Sequence, residues 1–500
     1  MDRMMNCDLR KVLQMGGENL VNSLNPQNSY MPYWKLEKTG PDTAQFLEMW
    51  PQHNIGRWWD AVLRLEEAIG FTLPPHAEEQ LLETTRVFFD NPDSLCLTPD
   101  QYKNDFYAPF ELHSLRESLL ALNALAKYRN DPWAAQKGHE FLTTIERIYE
   151  EDGSWELTRL KAPEKTFDIH ERGQDPTGSH GRMLQAVIWF YQTTGDPLAL
   201  TVAQKIAEYH FNYSTLPDGS INHACKADHA HSYFNTLLGL ILYGQMTGQR
   251  KYIDRVVSLY ENAVRSLITE SGFVAHDLGT DGTGETGSAG DVVQIALWLA
   301  DEGYTNYYED AERIIRARLF PAQVTGPRGL QPSEPDLSKD CFADVDTRGI
   351  GAFMDITDIT SANVHALTDA YRHIAVDRSG CQYILLHFSY ENDTIALHCE
   401  RHDTAVLNIE LKRDTALCVR IPTWTDSVRC TVNGQPSEFE KNDMFADFGA
   451  LTAGTVIQLT HTLPEKETIE KMEGKLFHFF WKGDCVTGVD PQWVWYPGHK

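Results

Sequence analysis

Between Ser179 and Leu319 the chain repeats one pattern three times: a nearly all-apolar run, then an amphipathic one. The first apolar run opens on Ser179-His180-Gly181-Arg182 and stops at Thr193-Thr194-Gly195-Asp196. The second extends from Asp228-His229-Ala230-His231 to Thr247-Gly248-Gln249-Arg250. The third extends from Glu285-Thr286-Gly287-Ser288 to Asp301-Glu302-Gly303-Tyr304. Runs apolar on every side predict helices buried all round. Their partners, Pro197–Tyr209, Lys251–Leu267 and Tyr307–Leu319, predict helices with one wet face. Hairpins recurring about every 50 residues predict an array.

Earlier segments extend it. Trp58, Ala61, Val62, Leu65 and Ile69 have helical spacing and end before Pro74-Pro75. Leu112–Tyr128 and Trp133–Tyr149 flank Asp131-Pro132. Pairing these helices gives five or six hairpins before Ala375, enough to close a ring of six. Ring closure would gather the polar openings at one mouth, a deep pocket suited to a sugar. After Asp377 the period changes. Gln382–Phe388, Thr394–Glu400, Thr404–Leu411, Thr415–Ile421, Val428–Val432 and Thr455–Leu459 are short and rich in β-formers, with turns such as Asn392-Asp393 and Asn433-Gly434 between them. The expected fold is mainly α with a β domain: an (α/α)6 barrel over residues 1–375, then a C-terminal antiparallel β-sandwich over 376–500. Residues before about Trp50 are expected to add a strand or helix against the sandwich.

Composition narrows the function. The net charge is -27, from 44 Lys+Arg and 71 Asp+Glu, with no basic stripe, so nucleic acid is not an expected partner. No apolar run reaches the roughly 18 residues of a membrane span. The first residues lack the apolar core of a signal peptide, and the nine Cys are scattered without a CxxC. Both point to a cytoplasmic chain with free thiols, without metal or cofactor. The sandwich edges leave room for a homodimer.

Several phrases carry a resemblance. Gly181-Arg182-Met183-Leu184-Gln185-Ala186 before Thr194-Gly195, Asp228-His229-Ala230-His231, Ile268-Thr269-Glu270-Ser271-Gly272 and Glu285-Thr286-Gly287 occur in order. Tyr308-Glu309-Asp310-Ala311-Glu312-Arg313 and Val419-Arg420-Ile421-Pro422-Thr423-Trp424 follow them. Together they resemble the β-L-arabinofuranosidase-like glycoside hydrolases of families 127 and 146 ("GHLIEA…TG", "GHAVR", "YITGG", "ETC", "YADxxER", "LRIPxW") from about Arg116 to Leu463. The resemblance implies the barrel, the sandwich and a sugar substrate. Those families use a zinc-bound cysteine nucleophile. Here Gly287 replaces the first Cys, and Asp358-Ile359-Thr360-Ser361-Ala362-Asn363 holds none. That zinc–thiolate mechanism is therefore not expected.

Without it, hydrolysis needs two carboxyl groups in one pocket. Glu285, after a glycine-rich loop and at a helix start, is the first candidate. Asp291 on the same helix, Asp277 in the Gly272–Ala289 loop and Asp175 in the polar Lys161–Gly178 loop are its candidate partners, with Glu270 behind them. Simpler roles, a dipole-satisfying acid for Glu285 and a turn residue for Asp277, compete with these. His180, His229 and His231 open repeated helices; with His276, Trp59, His113 and Arg182 they are the candidate sugar-binding residues. Arg116 or Arg182 would also suit a uronate carboxylate. The expected activity is exo-acting hydrolysis of terminal sugars from oligosaccharides, by carboxylate acid/base chemistry without zinc. A uronate-specific lyase, a sugar epimerase using a His pair, and a non-catalytic carbohydrate-binding relative are the alternatives.

Overall fold

A computed structural model describes residues 5–38, 44–47, 50–98, 111–162, 175–225, 228–323, 353–355 and 357–492. Twelve helices of eight or more residues occur among the described residues. In chain order they are α1 (Leu9–Asn22), α2 (Pro51–Ile69), α3 (Pro75–Phe89), α4 (Leu115–Arg129), α5 (Pro132–Ile148) and α6 (Arg182–Thr194). They continue as α7 (Pro197–Tyr209), α8 (Ala230–Thr247), α9 (Arg250–Leu259), α10 (Thr286–Asp301), α11 (Tyr307–Ile314) and α12 (Thr357–Arg372). The even-numbered helices pack in succession, and α12 returns onto α2, so the inner ring closes at six. The odd-numbered helices lie outside: α1 on α2 and α12, α5 on α4, α7 on α6, α9 on α8 and α11 on α10. α3 meets α2 where Trp59 Nε1 donates to Thr85 Oγ1 (2.9 Å).

The two helix types follow from the sequence pattern. Every residue of α8 from Ala230 to Gly244, and of α10 from Thr286 to Ala300, is buried. α7 buries only Ala199, Val202, Ala203, Ile206 and Ala207, one face at helical spacing. The segment before Trp50, expected to pack on the sandwich, does so only in part. α1 is the sixth outer helix, while Asn6 bonds the Arg401 backbone and Met5 packs on Ala405 and Leu463.

Inner helices α2 and α4 nearly touch. A Cβ on Gly56 would lie 1.8 Å from the backbone oxygen of Glu117. At the ring's far end, Asp131-Pro132 and Asp196-Pro197 start outer helices, each Asp accepting from the backbone two residues on (2.9 Å). At the mouth end a second device repeats. The outer helices run into one-bridge hairpins, Tyr149↔Trp155, Thr215↔Ile221 and Ile268↔Val274. Each turns on a glycine at positive φ, Gly153, Gly219 or Gly272. These hairpins return the chain to the starts of the inner helices.

The sandwich strands are β1 (Ala375–Arg378), β2 (Cys381–Ile384), β3 (Tyr390–Glu391), β4 (Ile395–Arg401), β5 (Thr404–Leu411) and β6 (Thr415–Arg420). Then come β7 (Val428–Val432), β8 (Gln435–Pro436), β9 (Glu440–Asn442), β10 (Phe445–Leu451) and β11 (Val456–Thr462). One sheet has the order β8-β7-β11-β5-β4-β3, the other β9-β10-β6-β2-β1. Pairing is antiparallel except between β2 and β6. Alternation on β5 buries Ala405, Leu407, Ile409 and Leu411.

A buried knot of charge joins barrel to sandwich. Glu312 on α11 accepts from Arg316 Nε (2.9 Å), the His387 backbone (3.1 Å) and Arg420 Nη2. Arg401 pairs with Asp484, and Arg316 lies 3.6 Å from the same acid. Burial raises the Glu312 carboxyl, but Arg316, Arg420 and Arg401 outweigh it and hold it at about 2. A last sheet, β12 (Glu465–Met472), β13 (Lys475–Lys482) and β14 (Cys485–Asp490), packs Phe477, Phe479 and Trp481 around Phe273 and Ala317. Glu470 accepts from Ser271 N (3.0 Å) and Oγ (2.6 Å), and Lys471 reaches Asp281. This sheet thus clamps the hairpin that leads into α10.

Two substitutions probe this architecture. Gly56→Ala must push α2 off α4 and should cost about 1–3 kcal/mol, seen as a lower unfolding temperature. Glu312→Gln removes one partner of a buried set and leaves its arginines undercompensated. The expected loss is about 3–5 kcal/mol by chemical denaturation, well above that of an exposed control such as Gln136→Ala.

Candidate active site

All six inner helices start at the same end, and each sends polar side chains to the axis. The floor is ionic. Glu117 on α4 accepts from Arg182 Nη2 of α6 (2.5 Å) and Arg116 Nη1 (3.1 Å), and Arg57 Nε of α2 lies 3.4 Å away. Asp358 on α12 pairs with Arg57 Nε (2.7 Å) and His53 Nε2 (3.2 Å). Burial favours neutral Glu117, but Arg182, His53, Arg57 and Arg116 outweigh it and keep the carboxyl at about 2. Asp358 is held further below its ordinary value by Arg57 and His53 against its burial. Burial lowers Arg182 to about 10, and Glu117 opposes that shift.

Above the floor, α8 and α10 form a wall. Arg57 Nη2 donates to His231 Nε2 (2.8 Å), which leaves His231 Nδ1 to bond Asp291 Oδ2 (2.5 Å). Burial lowers His231 well below its ordinary value and raises Asp291 well above its own. His229 Nε2 bonds Glu285 Oε2 (3.0 Å), and His229 Nδ1 bonds Ser232 Oγ (2.9 Å). His276 Nε2 lies 3.8 Å from the same Glu285 oxygen, and its Nδ1 bonds Asp277 Oδ1 (2.7 Å). Burial opposes charge on Glu285, yet His229 and His276 hold it at about 2. The backbone fixes this wall: Ala230 N donates to His276 O, and Glu285 N to Val274 O.

The rim carries Asp175. Its carboxyl accepts from Thr177 Oγ1 (2.6 Å) and Gly178 N (2.5 Å), while the Gly178 carbonyl accepts from His113 Nδ1 (2.8 Å). Arg182 Nη1 donates to the other nitrogen of His113. Burial raises Asp175 to about 6, against its hydrogen bonds and with help from Asp228.

Of the expected residues, Glu285, Asp291, His229, His231, His276, His113 and Arg182 meet in this cluster, with Asp277 and Asp175 at its edge. Two do not. His180 turns away into a cage of Tyr149, Trp155, Tyr209 and His210, bonding His210 Nε2 (2.9 Å), and burial lowers it to about 3. Trp59 is fully buried between α2 and α3, and Trp58 donates to the Leu20 carbonyl of α1. Glu270 pairs with Lys466 of β12, outside the cluster. The aromatic residue at the mouth is Trp50, left-handed at φ 58° and stacked on His53 with ring centres 3.9 Å apart. The sequence reading missed it, together with His53, Arg57, Glu117 and the role of Asp358. An aromatic residue immediately before Pro51, at a helix start, was the available signal for Trp50. A cavity of about 590 Å³ lies at the opposite end of the ring, lined by Arg64, Trp189, Trp298 and Asp369, and holds none of these candidates.

Local spacing in the sequence shows no metal set, yet the fold assembles a group of three possible ligands. His229, His276 and Glu285 each bring a ligand atom within 4.8 Å of the others, across a separation too long for local spacing to reveal. A thiolate centre does not fit. A Cβ at Gly287 would lie 3.0 Å from Glu285 Oε1 and 3.6 Å from Ala362, but no sulfur stands at Gly287 or at Asp358–Asn363.

Barrel, sandwich and a histidine–carboxylate mouth define the class of architecture. No protein-family model matches the chain, and a search of curated proteins finds no match. Solved structures share the fold. A GH127 β-L-arabinofuranosidase from Geobacillus stearothermophilus T6 aligns at 14% identity and TM-score 0.60, over 86% of this chain and 76% of that one. A second GH127 β-arabinofuranosidase aligns at 12% identity and TM-score 0.62, over 97% and 82%. A structure described as a glycoside hydrolase aligns at 14% and 0.59, over 91% and 83%. No described helix is long and apolar enough to cross a membrane.

The floor has a pH signature. Glu117 is depressed, so its contribution to stability is full above about 4.5 and is lost as pH falls toward about 2. Glu117→Gln should unfold at lower temperature than wild type at neutral pH, and the gap should close between pH 4.5 and 2. A gap independent of pH would show that Glu117 acts by shape alone.

Proposed function

We propose that this chain is a glycoside hydrolase that removes terminal sugars from oligosaccharides with a pair of carboxyl groups. The arrangement that carries it is the gathering of carboxyls and histidines at one mouth: Glu285 against His229 and His276, Asp291 against His231, and Asp175 on the rim with its carboxyl raised by burial. Asp175 is the proton donor to the leaving oxygen. A carboxylate, from Glu285 or Asp277, attacks the sugar carbon or activates water, a role the raised carboxyl of Asp291 does not suit. A mouth formed by six helix starts favours a chain end over a chain interior. The likeness to β-arabinofuranosidases over barrel and sandwich together supports the same reading. The three floor arginines are engaged by Glu117, Asp358, His113 and His231, which gives a uronate-directed lyase less support.

Product analysis by NMR and mass spectrometry on an oligosaccharide panel tests this. Wild type should release a monosaccharide, with a rate that falls as pH rises through about 6, because the donor must hold its proton. Asp175→Asn should lower kcat by about 10²–10⁴ and remove that limb. An unsaturated product would replace hydrolysis with elimination. Sugar binding without any product would leave a carbohydrate-binding protein.

A further inference from the structure

His229 and His276 reach Glu285 from separate segments, α8 and the 268–285 hairpin. Both rings are oriented from behind: Ser232 Oγ holds His229 Nδ1 and Asp277 holds His276 Nδ1. Both Nε2 atoms therefore face one carboxylate oxygen, at 3.0 and 3.8 Å. A tetrahedral ion about 2.0–2.1 Å from each donor would space them roughly 3.3 Å apart, between the two observed values. Carboxylate support behind a ligating imidazole fixes its tautomer and raises its basicity. Burial is uneven. Glu285 and His229 are enclosed, while His276 is 24% and Asp277 53% exposed, which opens a path from solvent.

We infer that His229, His276 and Glu285 form a site for one divalent cation of the zinc type, made of two imidazoles and one carboxylate. This donor set suits zinc, cobalt or nickel better than calcium or magnesium. Three protein donors leave a fourth position toward the mouth, as open metal sites do. The site contains no sulfur, unlike a thiolate centre. It does not rest on the sugar reading. With an ion bound, Glu285 is a ligand, which leaves Asp277 as the carboxylate opposite Asp175.

The test is cobalt(II) titration of the untagged, chelator-stripped full chain, read by visible absorption and by metal content after desalting. Wild type should bind one equivalent with a visible d–d band, displaced by zinc. His276→Ala and Glu285→Gln should weaken binding at least about 100-fold, and Asp277→Asn about 10–100-fold. Asp277 lies on the exposed rim, so that variant keeps the test valid if the others misfold. His398→Ala, from an exposed pair with Glu400, should bind as wild type does. No bound equivalent in wild type, or equal binding by His276→Ala and Glu285→Gln, overturns the site. Metal binding is read without sugar, so hydrolysis by a chain that binds no cobalt would sink the metal site and spare the hydrolase reading. Binding without hydrolysis would do the reverse.

Discussion

Charge that cannot be left unpaired sets the geometry of the ring axis. Arg57, Arg116 and Arg182 are nearly or fully buried around one glutamate, Glu117. An isolated guanidinium there would be strongly disfavoured, as the lowered Arg182 shows. Each inner helix contributes one or more members to the connected set: His53 and Arg57, Arg116 and Glu117, Arg182, His231, Asp291, and Asp358. The register of every inner helix is therefore fixed by partners on its neighbours as well as by apolar packing. Apolar burial supplies the drive to collapse, and these pairs select which collapsed ring is acceptable. Gly56 lets α2 approach close enough for the set to assemble.

The ring was legible in the chain where buried and one-faced helices alternate most clearly, from α6 to α11. All-apolar runs became inner helices, and one-faced runs became outer ones. α1 and α3 lie outside the clear repeat and were not separated from their surroundings. The site was less legible, since its bonds join residues far apart in sequence. His180 and His229 look alike locally, both opening buried helices, yet one faces an aromatic cage and the other faces Glu285. Trp59 sits among apolar neighbours like a wall residue, and only its bond to Thr85 shows that it looks outward.

The motifs that carried the family resemblance have a structural reason of their own. Glu309 accepts from Thr423, and Glu312 accepts from Arg420, so the α11 phrase and the Arg-Ile-Pro phrase meet across the barrel–sandwich joint. They record how two domains are welded together, away from the histidine–carboxylate mouth. The likeness to the β-arabinofuranosidase structures over barrel and sandwich together is a likeness of this joint and of the fold.

The clamp on the 268–285 hairpin has a consequence for how the molecule is made. Ser271 and Asp281 are held by Glu470 and Lys471, from a sheet translated after every segment it supports. On a ribosome, barrel helices can begin burying their apolar faces as they emerge. The wall that carries His276 and Glu285 receives its outer brace only once residues 465–490 are free to fold. The brace of the mouth is thus translated after every helix of the ring it supports.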